Sequence, residues 1–148
     1  MEVFRLINEE RAAHDLPPYA YDEQLECVAR LHGQDCLQRG WCDHIGSDGS
    51  TIRERVARSG YEAVGVAEVM VYASSPQEAV AWWMNETPPE DEHRRTLLGD
   101  FLQRVGVAVV PIGNGTYYFI ADLARPQQPL MAVFGTVIFS CLKWICLH

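Results

Sequence analysis

The residues of this sequence best suited to chemistry near neutral pH are its histidines, because an imidazole can ligate a metal or transfer a proton there. There are five, and they are His14, His32, His44, His93 and His148. His32 lies on the apolar stripe of a predicted helix, which favours a core histidine over a metal ligand. His14 ends a helix, where a cation is favoured without any further role. Taken singly, His44 and His93 are interpreted as surface histidines, although the acids that precede His93 favour its protonated form.

Familiar catalytic motifs are absent from the sequence. It contains no G-x-S-x-G, no H-E-x-x-H, no P-loop and no G-x-G-x-x-G followed by a helix. The segment Gly46-Ser47-Asp48-Gly49-Ser50 resembles a serine-hydrolase loop only in composition, and its spacing favours a turn. No single motif in the chain therefore identifies a reaction.

The cysteines leave two interpretations open. Five are too few for a disulfide scaffold, and the odd number prevents complete pairing. The absence of a C-x-x-C pair argues against a thioredoxin motif and a zinc ribbon. A bridge between Cys36 and Cys42 would close a helix end onto a loop in an oxidising compartment, and buried free thiols are the alternative. The pairing of Cys27, Cys141 and Cys146 stays open as well.

Length, composition and charge predict one globular domain. The 148 residues suffice for a single domain of ordinary size. Apolar residues make up 48% of them, which is typical of a chain with a core and not of a disordered one. Twelve basic and twenty acidic residues give a net charge of −8, with the arginines scattered among the acids. A nucleic-acid partner is not expected, because such proteins usually carry a basic patch.

Apolar periodicity and capping signals predict helices interleaved with strands. Helices are predicted over Glu2–His14, from Asp22 to about Gln38, from Thr51 to Gly60, from Ser75 towards Pro88 and over about Asp91–Leu98. Strands are predicted over Ala63–Tyr72 and in a hairpin, Val105–Ile112 and Thr116–Leu123, about the turn Gly113-Asn114-Gly115. Helices on an antiparallel sheet predict a layered α+β domain.

The chain is predicted to divide into a domain, residues 1–125, and a proline-flanked linker with an apolar tail, residues 126–148. The stretch from Leu130 to Leu147 carries a single charge, on Lys143. It is at the lower limit for a membrane span, which takes about 20 residues. A membrane anchor and a helix or strand lying on the domain both remain open. No signal peptide is visible before the first helix.

The order of several short segments resembles the bacterial SCP domain of the CAP superfamily, which includes cysteine-rich secretory, antigen 5 and pathogenesis-related 1 proteins. Each segment is short, but together they cover about residues 3 to 124 in the order typical of that family. In chain order they are Leu6-Ile7-Asn8 with Arg11, Leu16-Pro17-Pro18, His44 to Ser50, Arg55, Gly60-Tyr61, Ala67-Glu68, Trp83 to Glu86, His93 to Leu98 and Val105-Gly106-Val107.

The resemblance implies a three-layer α-β-α sandwich with a mainly antiparallel central sheet and a cleft that holds two histidines and two acids. By motif position these residues are His44, Glu68, Glu86 and His93, which makes them candidate ligands for Zn²⁺ or another divalent cation. Glu68 and Glu86 are also the candidate catalytic residues. The chain departs from the family where Val69 follows Glu68 in place of the usual asparagine.

Two functions and one structural alternative follow from the two histidines and two acids. The first is an extracytoplasmic or secreted binding module, whose cleft takes a divalent cation and whose surface takes a small-molecule, lipid or peptide ligand. The second is a metal-dependent hydrolase, a protease or esterase, in which an acid of the cleft activates water. The third is a buried polar network without a ligand. A monomer or weak dimer is expected, with membrane contact through residues 130–147 if the tail is an anchor.

Overall fold

A computed structural model describes residues 1–127, in which helices and strands alternate along the chain. The elements are α1 (Glu2–Ala13), β1 (Ala20–Tyr21), α2 (Glu23–Arg39), α3 (Ile52–Arg58), β2 (Ala63–Ala73), α4 (Pro76–Met84), α5 (Glu92–Leu97), β3 (Arg104–Gly113) and β4 (Thr116–Pro126). The predicted tail, including residues 130–147, lies outside the described residues. None of the helices within residues 1–127 has both the length and the apolar character that a membrane span requires.

Local signals in the sequence determine where the helices begin and end. The Asp22 side chain accepts hydrogen bonds from two backbone amides at the start of α2, and Gly40 ends that helix with a φ of 77°. Thr51 and Glu54 form a capping box at the start of α3. Ser75 caps α4, with proline in its first turn. The predicted positions of these helices are confirmed.

The four strands form one mixed sheet in the order β1-β3-β4-β2. The β3–β4 hairpin and the β4–β2 pair are antiparallel, as predicted. The short strand β1 pairs in parallel with β3, with Ala20 opposite Arg104. Two residues are too few to produce a periodic pattern, so the sequence did not reveal this strand. The α+β fold with a mainly antiparallel sheet is confirmed, and the sheet is mixed at one edge.

Helices pack on both faces of the sheet. On β4, Ala121 packs in a cluster with α1 and α4, whereas its neighbour Ile120 packs with α2. Ala124 packs in a cluster with α2 and α3. Because successive strand residues point to opposite faces, α1, α4 and α5 cover one face, and α2 and α3 cover the other. Trp83 of α4 is completely buried in the larger cluster.

Gly106 of β3 allows α2 to pack directly on the sheet. A Cβ atom at this position would lie 1.9 Å from the backbone nitrogen of Glu26 and 2.3 Å from the carbonyl carbon of Leu25. Only glycine permits two backbones to approach so closely. The first turn of α2 is therefore held against β3, and this contact fixes the helix that carries His32 and Cys36.

The buried Arg11 of α1 holds the carboxyl end of α5. Its guanidinium donates hydrogen bonds to the carbonyl oxygens of Leu97 and Gly99, each at 2.7 Å, and to that of Pro17 at 2.8 Å. The same group lies 3.8 Å above the ring of Tyr19. These contacts satisfy carbonyl groups at the helix end and fix the short helix that carries His93.

Candidate functional site

Arg55 binds two carbonyl groups of the loop that carries His44. The Arg55 guanidinium donates to the carbonyl oxygen of Ser50 at 2.8 Å and to that of His44 at 3.1 Å. Arg55 comes from α3, immediately after the loop, and its side chain is 10% exposed. The backbone of His44 is therefore fixed by a nearly buried cation.

The same arginine also binds the acid that contacts His44. Glu68 of β2 is buried on the face covered by α2 and α3, and its Oε2 accepts a hydrogen bond from Arg55 at 2.8 Å. Its Oε1 lies 2.9 Å from Nδ1 of His44. Burial raises the pKa of Glu68, but the hydrogen bond to His44 and the charge of Arg55 outweigh burial and lower it. The hydrogen bond to Glu68 in turn raises the pKa of His44.

A second carboxylate and imidazole pair lies between α4 and α5. Glu86 Oε1 is 2.5 Å from Nδ1 of His93, and its Oε2 accepts from the backbone amides of His93 at 2.9 Å and Arg94 at 3.2 Å. The carboxylate thus satisfies free amides at the start of α5. Burial raises the pKa of Glu86, but the hydrogen bonds from His93 and Arg94 outweigh it, and the net shift is downwards.

The two imidazoles lie close to each other. The ring centres of His44 and His93 are 6.5 Å apart, with an angle of 31° between the ring planes. Each ring uses Nδ1 for its carboxylate, and within residues 1–127 no hydrogen bond involves Nε2 of either ring. Trp82 lies edge-on to His93, with ring centres 5.7 Å apart. The side chains of His44 and His93 are 53% and 22% exposed, so solvent reaches both.

The four residues that the sequence resemblance implies are thus brought to one region, as two separate pairs. His44 pairs with Glu68, and His93 pairs with Glu86. The sequence indicated neither pairing nor the part played by Arg55, because those contacts depend on how α3, β2 and α5 pack.

Two buried polar residues lie next to Glu68. His32 of α2 is 1% exposed, as expected for a core histidine, and burial lowers the pKa of its imidazole. Asp122 of β4 is fully buried directly opposite Glu68 on the neighbouring strand. Burial and the negative charge of Glu68 raise the pKa of Asp122 well above its usual range. Sequence reasoning missed Asp122, although a lone acid within the apolar run of β4 was an available signal.

A different group has the ligand atoms closest together. The side-chain ligand atoms of His32, Cys36 and Cys42 all lie within 4.8 Å of one another. Cys36 and Cys42 are joined in a disulfide with Cα atoms 4.7 Å apart, so the bridge considered from the sequence is present. Each sulfur is therefore already covalently bonded, and the group is not a metal site in this state.

The remaining histidines and the glycine-rich loop have simple explanations. His14 is exposed at the end of α1, where its Nδ1 lies 2.8 Å from the carbonyl oxygen of Glu10. His148 lies outside the described residues. The predicted turn at Gly46 is present, because the amide of Gly49 donates to the carbonyl of Gly46 and that of Ser50 donates to Asp48. Ser47 in this turn contacts an acid of α2, since its backbone amide donates to Asp35 at 2.9 Å.

Solved structures with the same fold include an extracellular protein and an outer surface protein. An extracellular SCP-domain protein from Bacillus anthracis matches with a TM-score of 0.74 at 24% identity, covering 84% of this chain and 39% of its own. An outer surface protein from Borrelia burgdorferi matches with a TM-score of 0.75 at 18% identity, covering 84% of this chain and 90% of its own. The structure of NaASP2 with Zn²⁺ has a TM-score of 0.59 at 13% identity, covering 82% and 76%. At these identities the likeness establishes the fold.

The family itself follows from the sequence. The chain has no significant match among curated proteins. The match to the Bacillus protein covers 39% of that protein's length, so its other regions are not matched by this chain. The sequence model of the cysteine-rich secretory protein family matches residues 4–123, which is most of the chain and nearly all of the described part. This protein therefore belongs to the CAP, or cysteine-rich secretory protein, family.

Proposed function

We propose that the domain is an extracytoplasmic binding module whose cleft binds a divalent cation, with Zn²⁺ the best suited, through His44 and His93. The observation that carries the proposal is the facing pair of imidazoles, each with Nδ1 held by a carboxylate and Nε2 directed away from it. Neutral imidazole is a ligand that Zn²⁺ favours. The oxidised cysteine pair and the extracellular or surface relatives support a location outside the cytoplasm.

Glu68 and Glu86 act through the imidazoles in this proposal. A zinc-bound histidine usually donates its other ring N–H to a carboxylate, which fixes the tautomer and makes the free nitrogen a better ligand. Direct ligation by the two acids, which the sequence resemblance implies, would require them to give up the hydrogen bonds to His44, Arg55 and His93. With two protein ligands, the remaining positions on the cation are open to water or to a polar group of a ligand.

Zinc binding is expected at about pH 7.5 and should weaken markedly by about pH 5.5. A protonated imidazole cannot ligate, so protons compete with the metal as the pH falls. Because the pKa of His44 is raised above its usual value of about 6.5, this competition begins above that pH. Isothermal titration calorimetry of the oxidised full-length chain at several pH values measures the effect.

The matched variants are His44→Ala with His93→Ala, and His14→Ala as the control. The double variant should lose most of the zinc affinity, whereas the exposed His14 should not contribute. Unchanged affinity in the double variant would rule out the proposed ligands. No zinc binding by the wild type would leave only the structural role of the polar network.

A metal-dependent hydrolase using the same cleft is the second candidate, favoured by the two carboxylates beside the imidazoles. A hydrolase would turn over peptide or ester substrates and would lose its rate on chelation and in Glu68→Gln or Glu86→Gln. A binding module would instead show thermal stabilisation by lipid or peptide ligands without turnover. Zinc-dependent turnover lost in either glutamine variant would replace the binding proposal with the hydrolase.

A further inference from the structure

The sulfur cluster, formed by His32, Cys36 and Cys42, lies beside the proposed cation site and is separate from it. His32 and Cys36 are one helical turn apart on the buried face of α2, with exposures of 1% and 0%. Gly40 reverses the chain in a left-handed conformation, so Cys42 returns to the end of the same helix. Two sulfurs and one imidazole nitrogen thereby lie within 4.8 Å of one another.

One distance within the sulfur cluster, between Cys36 Sγ and His32 Nε2, already matches that of a zinc site. Zn–S and Zn–N bonds of about 2.3 and 2.1 Å at tetrahedral angles separate a sulfur from a nitrogen by about 3.6 Å. Cys36 Sγ already lies 3.8 Å from Nε2 of His32. Two sulfurs joined covalently are too close together to bind one ion, so only Cys42, which is on the loop after α2, has to draw back.

The charges around the sulfur cluster also suit a cation once the sulfurs are thiolates. Two thiolates and a neutral imidazole balance the charge of a divalent ion, which lowers the cost of burying it. Arg39 Nη2 lies 3.6 Å from Cys36 Sγ, and a nearby guanidinium favours the thiolate form of a cysteine. Glu68 Oε2 lies 3.9 Å from Nε2 of His32 and adds a negative charge at the edge of the cluster.

We propose that reduction of the Cys36–Cys42 disulfide opens a second metal site, in which both thiolates and Nε2 of His32 bind a soft divalent cation such as Zn²⁺. Two external thiols, or one dithiol, supply two electrons and two protons to the S–S bond and are themselves oxidised to a disulfide. Metal binding then releases the two thiol protons to solvent. His32 Nε2 gives up its hydrogen bond to the Asp43 carbonyl, 2.8 Å away, and the ring proton moves to Nδ1. Water from the exposed side completes the coordination.

Cobalt absorption tests this site independently of the histidine pair in the cleft. The full-length protein is titrated with Co²⁺ in its oxidised form and after reduction by a thiol-free phosphine under argon. Thiolate ligands give intense sulfur-to-cobalt charge-transfer absorption in the near ultraviolet, which imidazole and carboxylate ligands do not. The reduced protein should show this absorption and bind one more equivalent of metal than the oxidised protein.

Variants assign the ligands. Cys36→Ser with Cys42→Ser should abolish the charge-transfer absorption, and His32→Gln should weaken the affinity by on the order of tenfold or more. The matched control, Cys27→Ser with Cys141→Ser and Cys146→Ser, should retain the absorption. His44→Ala with His93→Ala should also retain it, so a failure of the proposed cleft function would not affect this result.

Three results would overturn the inference. The first is equal metal stoichiometry, without charge transfer, in reduced and oxidised wild-type protein. The second is absorption that survives in Cys36→Ser with Cys42→Ser but is lost in the control with the other three cysteines replaced. The third is loss of the folded circular dichroism spectrum on reduction in the presence of metal. The first result comes from the wild type alone and would overturn the inference even if a variant fails to fold.

Discussion

Arg55 connects the backbone of His44 to the carboxylate that orients its ring. Its guanidinium contacts two carbonyl oxygens of the loop and one oxygen of Glu68. Lysine keeps the positive charge but cannot reach three acceptors with a planar group. Arg55→Lys is therefore expected to weaken zinc binding by about tenfold, as loss of a group that supports a metal ligand does. Calorimetry at pH 7.5 measures this.

Arg58 provides the control for that substitution. It lies on the same helix, but its ion pair with Asp48 is exposed, and among residues 1–127 it has no hydrogen bond to the His44 carbonyl or to Glu68. Arg58→Lys should leave the zinc affinity unchanged. If Arg55→Lys binds zinc as tightly as Arg58→Lys, the arginine does not position His44.

Asp122 should make the protein less stable as the pH rises. Its pKa is raised by burial and by the charge of Glu68, so the folded state keeps a proton that the unfolded state has lost above about pH 4. The contribution of protonated Asp122 to the free energy of unfolding is fully present below about pH 4. It is lost as the pH rises to the raised pKa of Asp122, at about 1.4 kcal/mol per pH unit for one proton. Asp122→Asn removes this dependence and should be more stable than the wild type at pH 8.

Urea unfolding at a series of pH values measures the difference. The advantage of Asp122→Asn should disappear near pH 4, where the wild-type carboxyl is protonated in both states. Asp100→Asn, a substitution at an exposed acid, serves as the control and should leave the slope unchanged. Parallel pH profiles for Asp122→Asn and the wild type would show that Asp122 is ionised in the folded protein.

At the scale of the elements, α4 carries two adjacent tryptophans, one in the core and one beside His93. Trp83 is completely buried, whereas Trp82 is 53% exposed beside His93. Trp83→Ala should cost about 3–5 kcal/mol of unfolding free energy, as large core truncations do, and Trp82→Ala should cost less. Chemical denaturation of the two variants provides the measurement. Equal losses at the two positions would contradict the assigned buried face of α4.

Capping residues and apolar periodicity predicted most elements because those signals act locally. Ser75, Thr51 and Asp22 each cap the helix that the sequence assigned to them. Strand β1 escaped prediction because its two residues are selected by pairing with β3, which is distant in sequence. Gly106 was part of a family motif in the sequence. The physical reason for a glycine there, the close contact with the backbone of α2, is visible only in the packed structure.

For the candidate site, sequence resemblance identified the residues but not their partners. His44, Glu68, Glu86 and His93 do lie in one region, yet each histidine contacts one particular acid. The pairing depends on the register of β2 and on the angle of α5, neither of which a sequence pattern specifies. The closeness of His32 to Cys42 was missed for the same reason, since it requires the reversal at Gly40.

At the scale of the whole molecule, the described residues should fold without the apolar tail. Within residues 1–127, every helix and strand ends by Pro126, and the amide of Gln127 donates to the carbonyl of Glu62 at 2.9 Å. A truncation after Gln127 therefore keeps every residue pair that β4 forms with β2 and β3. We expect this fragment to unfold cooperatively on heating, as followed by circular dichroism beside the full chain. Loss of the cooperative transition would show that residues 128–148 are part of the core.

The most direct test of the account is anomalous diffraction at the zinc absorption edge from crystals of the oxidised full-length protein soaked in Zn²⁺ at pH 7.5. The proposal predicts one strong peak in the cleft, within bonding distance, about 2.0–2.1 Å, of Nε2 of both His44 and His93. Glu68 and Glu86 should keep their hydrogen bonds to Nδ1 of the two rings. A peak bonded to the carboxylates and not to the imidazoles, or no peak in the cleft, would contradict it.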